Sequence, residues 1–200
     1  MRYFYDTEFL ERGPEHPLVL ISIGVVAEDG REYFAANADF DAAQATPWLA
    51  AHVLPRLPAQ PGPSWRPRRR IADDLRIFVG EDPPEWWADF GAYDHVLLCQ
   101  LFGDMEALPS GWPMFTHDIQ HWRRMLGAPE LVQQPEDQAH DALQDARWVM
   151  RRWQQLRDHA AGIVEALVAG RAGGAGEKAA LRRDLQRALV PPPLLSERGK

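Results

Sequence analysis

Tyr5-Asp6-Thr7-Glu8-Phe9 decides how this chain is read. Just ahead of it, Arg2-Tyr3-Phe4-Tyr5 crowds aromatics too close to the start for a capped helix and reads as an extended strand. Strand side chains alternate between faces, so Asp6 and Glu8 point the same way, about 7 Å apart at their bases. Two carboxylates on one face among apolar neighbours are costly unless something cationic sits between them. Oxygen ligands on short stems suit a hard divalent ion, magnesium or manganese. The competing reading is a solvated acidic turn at the end of a surface strand, and the pair alone leaves both open.

Working outward, Leu18 to Ala27 is β-branched and nearly all apolar, as a strand covered on both faces should be. Asp29-Gly30 is a hairpin signal leading into Arg31 to Phe34, so the first three elements form an antiparallel meander. Pro47 to Val53 reads as a short helix capped by Thr46. Pro55, Pro58, Pro61, Pro63 and Pro67 exclude regular structure in the stretch they punctuate. Arg70 to Val79 is a helix with Ile71, Leu75, Phe78 and Val79 in one stripe. Strand and helix then alternate: Glu85 to Phe90, Tyr93 to Phe102, and Pro113 to Thr116. A helix from Ile119 to Leu126, capped by Asp118 and closed by Gly127, precedes a long one from Ala139 to about His159. A meander followed by alternating strands and helices predicts an α/β fold, a mixed sheet with helices packed on it.

A chain of 200 residues with 46% apolar content can bury a sizeable core. Its formal charge of −7 does not exclude a nucleic-acid partner, because a carboxylate metal site is itself acidic and basic patches can be local. The one cysteine, Cys99, rules out an intrachain disulfide framework and suits a reducing compartment. The first strand starts at once, without a secretory signal, and the longest apolar run is about half of what a bilayer needs. These features predict a soluble cytoplasmic protein with no membrane partner. The organisation reads as one domain over 1–165, then a flexible tail rich in Gly, Ala and Pro over 166–200. Within the tail, Leu181, Leu185, Ala188 and Leu189 make a short amphipathic helix.

Three more groups carry chemistry. Asp94 stands at the start of a helix directly after a strand, where an aspartate is often only a dipole partner. Asp145 lies early in the long helix beside an apolar stripe and needs a counter-charge. His140, five residues ahead of Asp145, reads either as a surface or satisfied core histidine or, beside four acids, as a base.

Taken in order, Asp6-Thr7-Glu8-Phe9, Tyr93-Asp94-His95-Val96-Leu97 and His140-Asp141-Ala142-Leu143-Gln144-Asp145 resemble the three motifs of the DEDD 3'-to-5' exonucleases. That family includes oligoribonuclease, ribonuclease T and polymerase proofreading domains. The third motif is similar to the histidine branch, His-x-Ala-x-x-Asp. The likeness spans roughly the first 160 residues, Ile23-Gly24 included, and is greatest to small bacterial exoribonucleases opening on Asp-Thr-Glu-Phe, some of them polyadenylate-specific. Phe9-Leu10 replaces the frequent Thr-Gly of the first motif, and Gly91 or Ala92 stands where an asparagine is usual. Asp89 and Asp141 are rival acids, assigned to the strand and to the helix start.

The resemblance implies a ribonuclease H-like sheet and hydrolysis of phosphodiesters at an RNA 3' end. Asp6 would bridge two Mg²⁺ ions, with Mn²⁺ able to substitute, completed by Glu8, Asp145 and Asp94. Two such ions, about 4 Å apart, stabilise attacking and leaving oxygens, while neutral His140 takes the proton of the attacking water and nucleoside 5'-monophosphates are released. The alternatives are an endonuclease or resolvase on the same acidic sheet, and a catalytically silent RNA-binding scaffold. For substrate grip, Thr7 and Phe9 flank the carboxylates, with core packing the other reading of Phe9. Trp65-Arg66-Pro67-Arg68-Arg69-Arg70 interleaves an aromatic with cations and reads equally as a site of phosphate contact and base stacking or as a solvated basic loop. Arg123-Arg124 and Arg151-Arg152 read as solvated helix faces. The tryptophan content and the resemblance together point to a homodimer.

Overall fold

The apolar runs at the start of the chain can satisfy their backbone groups only by pairing, and the computed structural model, which describes residues 1–191, shows them paired. Strands β1 (Arg2–Leu10), β2 (Val19–Ala27) and β3 (Glu32–Asn37) form the antiparallel meander. Three short strands complete the sheet: β4 (Trp65–Arg66), β5 (Glu85–Ala88) and β6 (His117–Asp118). The order is β4-β3-β2-β1-β5-β6, with β5 parallel to β1 and β6 parallel to β5. The helices are α1 (Pro47–His52), α2 (Arg68–Val79), α3 (Ala92–Phe102), α4 (Ile119–Met125), α5 (Ala142–Gly170) and α6 (Ala175–Leu189). This mixed sheet flanked by helices is the ribonuclease H-like arrangement.

Alternation along β1 divides the core. Tyr3 and Tyr5 face α2 and α3, packing with Ile71, Leu75, Leu97 and Trp86. Phe4 faces α4 and α5, packing with Trp87, Trp122, Val149, Trp153 and Leu156. Asp6 and Glu8 continue the Phe4 face towards the carboxyl end of the strand. The tryptophans therefore fill the interior: Trp86, Trp87, Trp112, Trp122, Trp148 and Trp153 are buried, whereas Trp48 is 49% exposed. Tryptophan content is accounted for by the core and is no ground for a dimer.

Several boundaries differ from the sequence reading, β3 among them, which runs on to Asn37. The strand expected at Pro113 to Thr116 is β6, at His117–Asp118, where only two residues pair with Trp87 and Ala88. Strand β5 stops at Ala88, so Asp89 and Phe90 fall in the turn before α3. The proline-rich stretch contains a 3-10 turn at Leu54–Arg56 and the two-residue β4, paired with Ala36 and Asn37. Helix α5 begins at Ala142 and runs on to Gly170, because Ala160, Val164 and Val168 extend its buried stripe past His159. Beyond the break after Gly170, α6 lies along α5: Arg182 pairs with Glu165 at 2.7 Å, and the Trp122 indole donates to the Leu189 carbonyl at 2.8 Å.

One close approach fixes where α5 sits. Gly24 pairs with Asp6 across β1 and β2, and a Cβ added to it would lie 2.2 Å from the Ala142 carbonyl oxygen. Only a glycine lets the first turn of α5 rest on the sheet beside Asp6. Alanine ordinarily stabilises a strand interior relative to glycine, by roughly 0.5–1 kcal/mol. Here Gly24→Ala should instead cost about 1–3 kcal/mol, the range for overpacking, and urea denaturation will read that sign directly.

Candidate active site

Asp6, Glu8 and Asp145 offer one carboxylate oxygen each, all within 4.8 Å of one another. Strand pleating supplies the first two, and a register shift between Glu8 and Phe9 interrupts the ladder just beyond them before pairing resumes at Phe9 and Leu20. Asp145 comes from the first turn of α5, whose start is fixed by Asp141, capping the amides of Leu143 and Gln144 at 3.1 and 3.0 Å. The three open on a cavity of about 580 Å³ that His140 also lines.

His140 and Asp145 form one local unit. The His140 backbone N–H donates to Asp145 Oδ2 at 2.9 Å, closing a turn that holds His140 at φ +65°. The imidazole meets the Trp48 ring edge-on, with centroids 4.8 Å apart, and Trp48 in turn stacks on His52 at 4.8 Å. Gln134 donates its side-chain amide to the other oxygen of Asp145.

Asp94 lies outside the trio of converging oxygens. It is buried, and its Oδ1 accepts from the Thr7 amide at 2.8 Å and from the Thr7 hydroxyl at 2.5 Å. Thr7 and Asp94 thus lock the start of α3 to β1 behind the carboxylates. Phe9 packs edge-on against Tyr93 at 5.5 Å, beside that joint.

Electrostatically the cluster is undercompensated. No described residue hydrogen-bonds to, or pairs with, the side chain of Asp6 or Glu8. Burial raises Asp6 well above the usual carboxylate range, and the charges of Asp94, Asp145, Glu8 and Asp89 add to it. Burial, then Asp145, Asp94 and Asp141, push Glu8 up to about 8. Burial also raises Asp94 and Asp145, against the lowering effect of the Thr7 bonds on one and of Gln134 and the His140 amide on the other. A donor set of converging, desolvated carboxylates with no cation of its own fits a hard divalent ion.

Other expected residues lie elsewhere. Trp65 is on β4, at the sheet edge away from β1, and its indole donates to the Pro58 carbonyl at 3.1 Å. Arg68 donates to the Gln100 carbonyl at 2.5 Å, and neither residue lines the cavity. Arg123 and Arg152, expected as solvated helix faces, do line it. Arg152 forms an ion pair with Asp89, which also accepts from Gln120 at 2.8 Å, so this rival acid is already partnered. Arg152 was traceable in principle: it lies seven residues beyond Asp145 and so on the same helical face. Gln134 sits in a segment without periodicity, and no sequence signal marked it.

Residues 1–157 match the family model described as the 3'-5' exoribonuclease Rv2179c-like domain. The chain belongs to this family. Two relatives from Mycobacterium tuberculosis, 3'-5' exoribonuclease MT2234.1 of strain CDC 1551 / Oshkosh and 3'-5' exoribonuclease Rv2179c of strain ATCC 25618 / H37Rv, are each 51% identical over 159 residues. The alignment spans 78% of this chain and 93% of either relative. The Rv2179c-like match ends inside α5, past Asp145 and Arg152, and so covers every group that lines the cavity.

Glu8 makes the folded protein sensitive to pH. Above pH 4.5 the unfolded chain has released this proton, whereas the folded protein keeps it up to about pH 8. Folded protein therefore binds more protons across that window, and its stability falls as pH rises, being fullest below the unfolded value. In a chelating buffer the melting temperature should drop between about pH 5 and about pH 8, and saturating Mn²⁺ should flatten the slope by neutralising the cluster. Calorimetric melts with and without the ion test both statements.

Proposed function

We propose that this protein is a metal-dependent exoribonuclease that removes nucleoside 5'-monophosphates one at a time from RNA 3' ends. The observation that carries the reading is the convergence of Asp6, Glu8 and Asp145 in one cavity with His140, in a chain of the Rv2179c-like family. Asp6, Glu8 and Asp145 would hold two Mg²⁺ ions, with Asp94 completing the set from behind Thr7. Ions bound there would stabilise charge on the phosphate and leaving oxygen and acidify the attacking water.

The chain's own groups supply the rest. Asp145 is kept in place by the His140 amide, so the metal ligand and the base move together. His140, with its ring backed by Trp48, removes the water proton. Thr7 fixes the depth of Asp94 through two hydrogen bonds. Trp65 and Arg68, being remote from the cavity, would meet only RNA long enough to run past the sheet edge.

Two substitutions separate these roles. Asp145→Ala should abolish hydrolysis and weaken Mn²⁺ binding, because a ligand is lost. His140→Ala should slow hydrolysis by about 10²- to 10⁴-fold while leaving Mn²⁺ affinity near wild type. Calorimetric titration with Mn²⁺, beside product analysis on uniformly labelled RNA, reads both. Internal fragments instead of mononucleotides would overturn the exonuclease assignment, and collapse of metal affinity in His140→Ala would make that residue a ligand.

A further inference from the structure

Phe90 is held in a conformation that a bulky side chain rarely adopts. Its φ is +58°, yet the residue is 72% exposed and lies on the wall of the catalytic cavity. An aromatic residue in the left-handed region persists only where its neighbours overdetermine it. Both neighbours do. On one side Asp89 is fixed by the ion pair with Arg152 and by Gln120. On the other, the Gly91 amide donates to Asp118 Oδ2 at 3.0 Å, and Gly91 itself is so tightly packed that a Cβ would lie 2.6 Å from that of Ala88. The turn from β5 to α3 is thus pinned on both flanks, and what it presents between them is an apolar ring facing water. Burial cannot be the reason, since the ring is not buried.

We propose that Phe90 is a stacking residue for the nucleobase next to the 3'-terminal one. The proposal rests on the exoribonuclease reading above. The phosphate of the terminal nucleotide must reach Asp6, Glu8 and Asp145 inside the cavity, so the rest of the strand has to leave across its rim. Among the residues lining the cavity, Phe90 carries the one benzenoid ring. Stacking uses the π-face that every base has, so this contact grips RNA ends of any sequence. A rigid turn serves the task, because a ring fixed before the strand arrives loses little freedom on binding.

The test is steady-state cleavage of short RNAs by wild type and variants, with the penultimate nucleotide either intact or abasic. On intact RNA, Phe90→Ala should raise KM about five- to a hundredfold, the range for one lost base stack, with kcat within a few-fold of wild type. Phe90→Tyr and Phe90→Trp should stay near wild type. On the abasic strand, wild type and Phe90→Ala should converge, because there is no base to stack. Phe90→Gly removes the ring but welcomes the positive φ, so it should match Phe90→Ala in KM while melting no lower than wild type. Equal kinetics for wild type and Phe90→Ala on intact RNA, or a loss of the same size on abasic RNA, would overturn the stacking role. A wild type that leaves RNA 3' ends untouched would instead remove the exoribonuclease reading, and this inference with it.

Discussion

The contact between Gly24 and the first turn of α5 is the constraint on which the rest of the molecule depends. Gly24 faces Asp6 across the ladder, and the Ala142 carbonyl occupies the space where a side chain would stand. On the helix, Ala142 and, one turn on, Ala146 are also small and fully buried. Small residues on both sides bring the helix axis near the strand at one end, and so carry Asp145 to Asp6 and Glu8. Farther along α5 the same gap is filled by Val149 and then Trp153. Residue size thus sets the separation of helix and sheet along their shared face, closest where the chemistry lies.

That closeness has an electrostatic consequence. Five acids, Asp6, Glu8, Asp89, Asp94 and Asp145, come together at one end of the sheet, and burial first, then repulsion among them, raises Asp6, Glu8 and Asp94. The protein answers selectively. Asp89 has Arg152 and Gln120, Asp94 has Thr7, and Asp145 has Gln134 and the His140 amide. Asp6 and Glu8 are left to each other. Compensation of the peripheral acids but not the central two leaves Asp6 and Glu8 holding protons that a cation could displace, in a framework that is otherwise satisfied. The cost is borne by the aromatic core on the same face, where Phe4, Trp87, Trp122 and Trp153 pack at 5.2–6.2 Å.

Much of this was legible because the informative residues sit in regular structure. Period-two alternation puts Asp6 and Glu8 on one side of β1, and Asp118, recognisable as a cap from its place in the sequence, accepts from the His121 amide at 2.8 Å. Local signals faded where tertiary contacts decide. His117–Asp118 is a strand only because β5 offers an edge to it. Arg151 and Arg152 look alike in sequence, yet Arg151 lies over the Trp148 ring at 4.7 Å while Arg152 turns inward to Asp89. Phe90 gives no local sign at all, since its backbone angle is imposed by Asp89 and Gly91 on either side. Trp65 and Arg68 show the converse: their composition pointed to a nucleic-acid grip, whereas the chain there is engaged with the Pro58 and Gln100 carbonyls.

The direction of β1 ties these observations together. Its amino-terminal half is aromatic and its carboxyl-terminal half carboxylic, and it runs parallel to β5, which hands over to Asp89 and Phe90 at the same end. In open α/β sheets the crevice beyond the carboxyl ends of parallel strands is where ligands bind, because loops and helix starts converge there. Here that crevice receives the start of α3 with Asp94, the start of α5 with Asp145, and the turn carrying Phe90. Helix α6 packs at the other end, where Leu189 and Val190 cover the aromatic cluster around Trp122. A strand that is greasy at one end and acidic at the other can be stable only if the two ends are served by different neighbours. The chain provides them in order, rigid packing where β1 begins and an open, charged cavity where it ends.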